Sequence, residues 1–228
     1  LITGASRGIG EAVARRFAAE GARLVLAART TGGLEEVDDR IRAEYGEDAA
    51  PTLVTLDLAD DDGIERLAAA VTERFNRLDI LIGNASLLGT MTPMHQIDAK
   101  EWQQVLNVNL TANWRLIRAF DPALRTSDAG RAVFVSSGAA RGVRPYWATY
   151  AVSKAALESM VLCWAAENAR TAMRINLIDP GATRTAMRAA AYPGEDPAAL
   201  KLPDDVTDLF VDLAASDCTR HGELVQPN

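Results

Sequence analysis

Short apolar runs alternate along the chain with longer stretches in which apolar residues recur every three to four positions. The short runs are Leu24–Ala27, Thr52–Leu56, Ile80–Ile82, Ala132–Val135 and Ile175–Ile178, each nearly continuous in apolar character. That is the pattern of strands covered on both faces. Helices are predicted between them, over about 9–20, 34–45, 62–75, 99–125, 149–168 and 204–215. In the first helix Ile9, Val13 and Phe17 stand four apart and form one buried stripe, and Gly21 suits the residue that closes a helix. The alternation predicts one α/β domain, a parallel sheet with helices on both faces. Leu1-Ile2 reads as the stump of a first strand, so the expectation is that residues precede this numbering. The segment 184–203 departs from the pattern with Tyr192-Pro193-Gly194, Pro197 and Pro203. It reads as an insertion or mobile segment that shapes a pocket, not as a core element.

Composition narrows the function classes. A chain of 228 residues buries roughly 70–75% of its unfolded surface, enough for one substantial core. The net charge of −7 argues against a nucleic acid or an anionic membrane as the main partner. No long apolar run and no signal peptide is visible. Cys163 and Cys218 lie outside any CxxC motif, as expected of reduced thiols in a cytoplasmic protein. His95 and His221 are the only histidines, so a His-based zinc site or a Ser-His-Asp triad is poorly supported and no metal is expected.

Gly4, Gly8 and Gly10 have the spacing G-x-x-x-G-x-G between the strand stump and the first helix. Glycines there let the turn tighten, so that backbone N–H groups meet a pyrophosphate at the helix N-terminus. After the second strand, an NAD-preferring site carries an acid for the ribose 2′-hydroxyl. This chain has Ala28-Arg29 instead, and Arg7 sits within the glycine loop. Two guanidinium groups suit a 2′-phosphate, so NADP(H) is the preferred cofactor and NAD(H) the alternative. Asp57, followed by Leu58, stands where it would bind the adenine amino group or cap a helix.

Tyr150 and Lys154 stand one helical turn apart and share a helix face. A phenol has a pKa of about 10, and bringing it down two to three units takes about 3–4 kcal/mol. One ammonium at about 4–5 Å supplies a comparable amount at an effective dielectric near 20. With Ser136-Ser137, Asn109, Asn84-Ala85, Thr3–Gly10 and Pro180-Gly181 ahead of Thr183 and Thr185, nearly the whole chain resembles the short-chain dehydrogenase/reductase family, in its compact single-domain branch. The segment 174–197 resembles a bacterial subgroup of oxidoreductases without a settled substrate.

The resemblance implies a Rossmann-type, doubly wound sheet of about seven strands, and a set of roles. Tyr150 is the general acid/base between a carbonyl and an alcohol. Lys154 lowers its pKa and holds the nicotinamide ribose. Ser137 holds the substrate oxygen, because adjacent strand-end serines face opposite ways and the family spacing selects Ser137. Asn109 supports a water chain to Lys154. Gly4, Ser6, Arg7, Gly8, Ile9, Gly10, Arg29, Asp57, Leu58, Asn84 and Ala85, then Tyr150, Lys154, Pro180, Gly181, Thr183 and Thr185, hold the cofactor. A homodimer or homotetramer is expected on the same ground. One departure stands out: Ser86 in Gly83-Asn84-Ala85-Ser86 replaces the family's glycine, which bears on the local loop path.

The substrate pocket should be roofed by Leu87, Leu88, Met91, the loop Arg141–Trp147 and 184–203, with Trp147, Met187 and Tyr192 against an apolar or aromatic carbonyl compound. Arg141, Arg144, Arg184 and Arg188 are a rim that is either solvated or attracts an anionic substrate. Two further readings compete: a 3-oxoacyl-carrier-protein reductase, which requires a basic docking surface, and a nucleotide-sensing protein that keeps the fold without turnover.

Overall fold

A computed structural model of the chain describes residues 1–60 and 62–227. The strands are β1 (Ile2–Thr3), β2 (Val25–Ala28), β3 (Thr52–Thr55), β4 (Ile80–Gly83), β5 (Arg131–Val135), β6 (Arg174–Ile178) and β7 (Leu224–Val225). They form one parallel sheet in the order β3-β2-β1-β4-β5-β6-β7. The helices are α1 (Gly8–Ala19), α2 (Thr31–Tyr45), α3 (Gly63–Phe75), α4 (Ala99–Leu106), α5 (Ala112–Arg125), α6 (Ala148–Glu167), α7 (Ala186–Ala191) and α8 (Thr207–Ala214).

Successive strand residues point to opposite faces, and this divides the core in two. Ile2, Leu26 and Ala28 pack with α1, α2 and α8 on one side. Val25, Ala27, Ala132 and Phe134 pack with α3, α5 and α6 on the other. Strand order reverses between β1 and β4, and Ile2 of β1 is in register with Leu26 of β2 on one side and Ile82 of β4 on the other. Loops leaving the carboxyl ends diverge at such a reversal and leave a crevice.

The end of α1 follows its sequence closely. Gly21 has φ +78°, its N–H reaches Ala18 O and that of Ala22 reaches Phe17 O, the two bonds of a Schellman closure. Other elements differ from expectation. α2 starts at Thr31, three residues early, through Gly32 and Gly33, which are poor helix formers. Gly33 is needed there because a Cβ would stand 2.9 Å from Thr30 Oγ1 and 3.0 Å from Ser6 Cβ. The helix predicted over 99–125 is interrupted by a π turn at Asn107–Thr111, a wide turn common at functional sites. The segment 184–203 carries α7 and is tied at its base, where Arg184 N donates to Lys201 O at 2.8 Å. β7 has two residues, too few for any periodicity, and is held by pairing with Leu177 and Ile178.

Candidate active site

A cleft of about 720 Å³ opens at the carboxyl edge of the sheet, from Arg29 and Thr30 at one end to Trp147 and Ala191 at the other. Every cofactor residue expected from the sequence lines it except Gly10, and so do Ser137, Tyr150 and Lys154. Asn109 is fully buried behind it.

At the first end the turn after β1 is built from backbone. Gly4 and Gly8 have φ +65° and +61°, a region that side chains disfavour. A Cβ on Gly10 would stand 2.2 Å from Gly4 O, so Gly10 allows the helix to close on the turn and does not itself face a ligand. Asn84 Nδ2 donates to Thr3 O at 3.0 Å and Gly4 O at 3.2 Å, and Thr3 Oγ1 accepts from the N–H groups of Asn84 and Ala85 at 3.1 and 3.2 Å. These two residues clamp β4 to the glycine turn. The α1 N-cap, Arg7, makes no side-chain cap, so first-turn N–H groups remain for an anion. Arg7 and Arg29 are exposed at the mouth. Thr30, the uncapped start of α2, lines the same corner and went unnoticed in the sequence, where it has no motif. Asp57 Oδ1 accepts from Ala59 N at 2.9 Å and closes its own turn. The cap position of α3 belongs to Asp62, so the helix-cap alternative for Asp57 does not hold.

At the other end α6 carries Tyr150 and Lys154, both buried on its inner face. The serines after β5 diverge: Ser137 turns to Tyr150 and Ser136 to Glu158. Ser137 Oγ accepts from Ala139 N at 3.2 Å, which leaves its hydrogen free to donate. Burial pushes the Tyr150 phenol above its ordinary value, the Ser137 and Ser86 hydroxyls draw it down, and Asp179 pushes it up again. Ser86 Oγ bears on the phenol but meets no partner with hydrogen-bond geometry.

Lys154 is held deep in the site. Its Nζ donates to Val135 O at 2.7 Å and lies 5.8 Å from the centre of the Tyr150 ring. Burial brings it from 10.5 to about 8, partly offset by Glu158. Burial is the largest influence on the Tyr150 phenol as well, and it acts to raise its pKa. Asn109 is fixed through its side chain. Its side chain accepts from Leu87 N at 2.7 Å and donates to Leu87 O at 2.8 Å and Ser153 Oγ at 2.9 Å. It pins the loop after β4 to α6. Its carbonyl, in the π turn, accepts from Asn113 Nδ2 at 2.8 Å.

The roof forms a small apolar cluster in which Leu88, Met91, Met187 and Tyr192 pack on Trp147 and Tyr150. Trp147 and Tyr192 stand 5.6 Å apart. Three of the four rim arginines are engaged. Arg188 pairs with Glu195 at 2.5 and 2.6 Å and lies 3.9 Å over the Tyr192 ring. Arg144 lies 5.5 Å over Trp147 and donates to the Tyr192 hydroxyl at 3.1 Å. Arg141 bridges Glu158 and the buried carboxylate of Asp179, which also accepts from Gln226 at 2.8 Å and from Gly181 N at 3.1 Å. Arg184 is exposed. Thr185 Oγ1 accepts from Arg188 N at 3.1 Å and caps α7. Neither Asp179 nor Glu158 belongs to a motif, and both went unnoticed in the sequence.

The sequence profile of the short chain dehydrogenases matches residues 1–196. An uncharacterised oxidoreductase of Escherichia coli K12, YciK, is 40% identical over 96% of this chain and 87% of its own length. A solved structure from Escherichia coli CFT073, complexed with NADPH, superposes with a TM-score of 0.94 at 39% identity, covering 99% of this chain and 94% of that one. A Mycobacterium tuberculosis protein described as an uncharacterised NAD-dependent oxidoreductase is 32% identical over 94% of this chain and 88% of its own. A parallel sheet with its strand reversal between β1 and β4, a glycine turn clamped by Asn84, and a buried tyrosine–lysine pair at the far end of one cleft make this chain a member of the short-chain dehydrogenase/reductase family of oxidoreductases.

Proposed function

We propose that the protein interconverts a carbonyl compound and an alcohol with NADP(H) as the hydride carrier. The observation that carries this reading is the convergence of Ser137, Tyr150 and Lys154 at one end of a cleft whose other end is the glycine turn flanked by Arg7 and Arg29. The site fits a dinucleotide: the turn leaves no room for a side chain at Gly4, where a Cβ would stand 2.9 Å from Ala85 Cα, and the start of α1 has no side-chain cap. Arg7, Arg29 and Thr30 would hold a 2′-phosphate. The neighbour from Escherichia coli CFT073 is complexed with NADPH, which supports the same choice; NAD(H) remains the alternative, as in the mycobacterial relative.

When bound, the nicotinamide supplies the hydride to the carbonyl carbon. Tyr150 gives its phenolic proton to the carbonyl oxygen, and Ser137 donates a hydrogen bond to that oxygen. Phenol deprotonation needs positive charge nearby, because burial opposes it. Lys154 is held one turn away, its Nζ within the apolar interior. Asn109 holds Leu87 and Ser153 in register with the site.

The apolar roof and the engaged arginines favour an uncharged substrate over an acyl-carrier substrate. α5 and α6 leave Trp114, Val152 and Leu162 exposed, an apolar surface that a second copy would cover in a homo-oligomer. Among the described residues no helix is long and apolar enough to cross a membrane. The test is reduction of aryl ketones followed by NADPH absorbance. Tyr150→Phe should lower turnover by about a thousandfold while NADPH binding persists. Full turnover by that variant would end this reading.

A further inference from the structure

Among the described residues Ser86 Oγ is the buried side-chain polar atom that lacks a hydrogen-bond partner. An unpaired buried hydroxyl costs about 1–3 kcal/mol, and native structures keep few of them. This one lies in the cleft beside Tyr150 and Ser137. Its place follows from the sheet. Gly83 of β4 is in register with Phe134 of β5, and three residues further on each chain stand Ser86 and Ser137. The two serines thus stand equally far past the last paired residues of adjacent strands, and both bear on the same phenol. Ser137 has its acceptor side filled by Ala139 N, whereas Ser86 has neither side filled.

The surroundings limit what can meet that hydroxyl. Leu88, Trp147, Met187 and Ala191 make this end apolar, and Arg144 and Arg188 are held by Tyr192 and Glu195. Polar recognition is confined to the oxygens around the phenol. Adjacent parallel strands run about 4.8 Å apart, so two oxygens on neighbouring carbons can each meet one serine hydroxyl at about 2.8 Å.

We propose that Ser86 Oγ is a second oxygen anchor for the substrate, so that the site selects apolar carbonyl compounds bearing a hydroxyl or a second carbonyl on the adjacent carbon. This rests on the carbonyl–alcohol reading above. Hydride goes to the reacting carbonyl carbon and the Tyr150 proton to its oxygen. The second oxygen is bound by Ser86 and unchanged, and the product is a vicinal diol or a hydroxyketone.

The experiment compares 2-hydroxyacetophenone and 1-phenyl-1,2-propanedione with acetophenone and propiophenone as NADPH-dependent substrates of the full chain. The wild type should prefer the dioxygenated member of each pair by tenfold or more in kcat/KM, chiefly through KM. Ser86→Ala should bring that ratio close to one, and Ser86→Thr, which keeps the hydroxyl, should restore part of it. NADPH affinity and Tm report folding of each variant. A ratio near one in the wild type, or an unchanged ratio in Ser86→Ala, overturns the proposal. So does an equal loss on all four ketones with a shifted pH profile, which would make Ser86 a partner of Tyr150 alone. Failure to reduce any of the four also overturns it. Tyr150→Phe separates the two levels: if it keeps turnover the reading beneath is wrong, and if it loses turnover while the ratios stay flat only the Ser86 assignment is wrong.

Discussion

The two ends of the cleft are made of different materials. The cofactor end is backbone: a turn at Gly4 and Gly8, a helix start with no side-chain cap, and two arginines in solvent. The substrate end is side chain: Tyr150, Lys154 and Asp179 are buried, and Arg141, Glu158, Trp147 and Tyr192 cross-link three separate segments. The first end works by what is absent: a Cβ would collide at Gly4 and Gly10, and Gly8 holds a positive φ. The second works by pairings whose members have no fixed spacing in the chain. The difference teaches where each kind of change should act.

Gly10→Ala attacks the first end and should have the largest effect. Its Cβ would stand 2.2 Å from Gly4 O and 2.6 Å from Asn84 Nδ2, backbone and a hydrogen-bonded clamp that cannot yield cheaply. A fluorescence titration should find NADPH binding lost, about a hundredfold or more, because the turn must open. Arg141→Met tests the second end. It strands Glu158 and the buried Asp179 carboxylate and should cost about 2 kcal/mol in urea unfolding, less than a fully buried pair because Arg141 is partly exposed. Adding Asp179→Asn should recover part of that loss, and strict additivity would show that the bridge carries no coupling.

Lys154→Met sharpens the comparison through pH. The Lys154 pKa is about 8 in the folded chain against 10.5 as the ordinary value. Its penalty is therefore complete below pH 8 and is relieved as pH rises through the folded pKa, because the unfolded chain then binds the extra proton. Wild-type stability should gain on that of Lys154→Met by about 2 kcal/mol between pH 8 and 9.5; parallel curves would refute a lowered lysine. The smallest effect is expected at the solvated corner. Arg29→Ala should weaken NADPH binding by about tenfold and leave NADH nearly unaffected, as read by paired titrations.

The cofactor end was legible because its constraint is local. Thr3–Gly10 carries its own meaning: positive φ at Gly4 and Gly8 and close approach at Gly10 admit few other residues. Tyr150 and Lys154 were legible for a similar reason, one helical turn fixing one face. Ser136 and Ser137 were separable because a strand end alternates its side chains. That burial acts on both groups, and that the lysine meets Val135 O, was not legible in the helix spacing. Asn109 was found, but the π turn that aims it at Leu87 has no signature in a continuous helical pattern. The arginine rim could not be separated into bound and exposed members, since Glu158, Asp179 and Glu195 lie 17, 38 and 7 positions from their partners.

The amino-acid sequence by itself determined the layered α/β architecture, the glycine turn and the Tyr150–Lys154 face, because each follows from a period or from steric exclusion within a few residues. Only the tertiary structure decided what surrounds the phenol. Burial, the Arg141–Asp179 bridge, the stacked roof and the unpaired Ser86 hydroxyl arise from segments brought together by the sheet register. Their physical basis is desolvation and pairing across space, which no local spacing encodes.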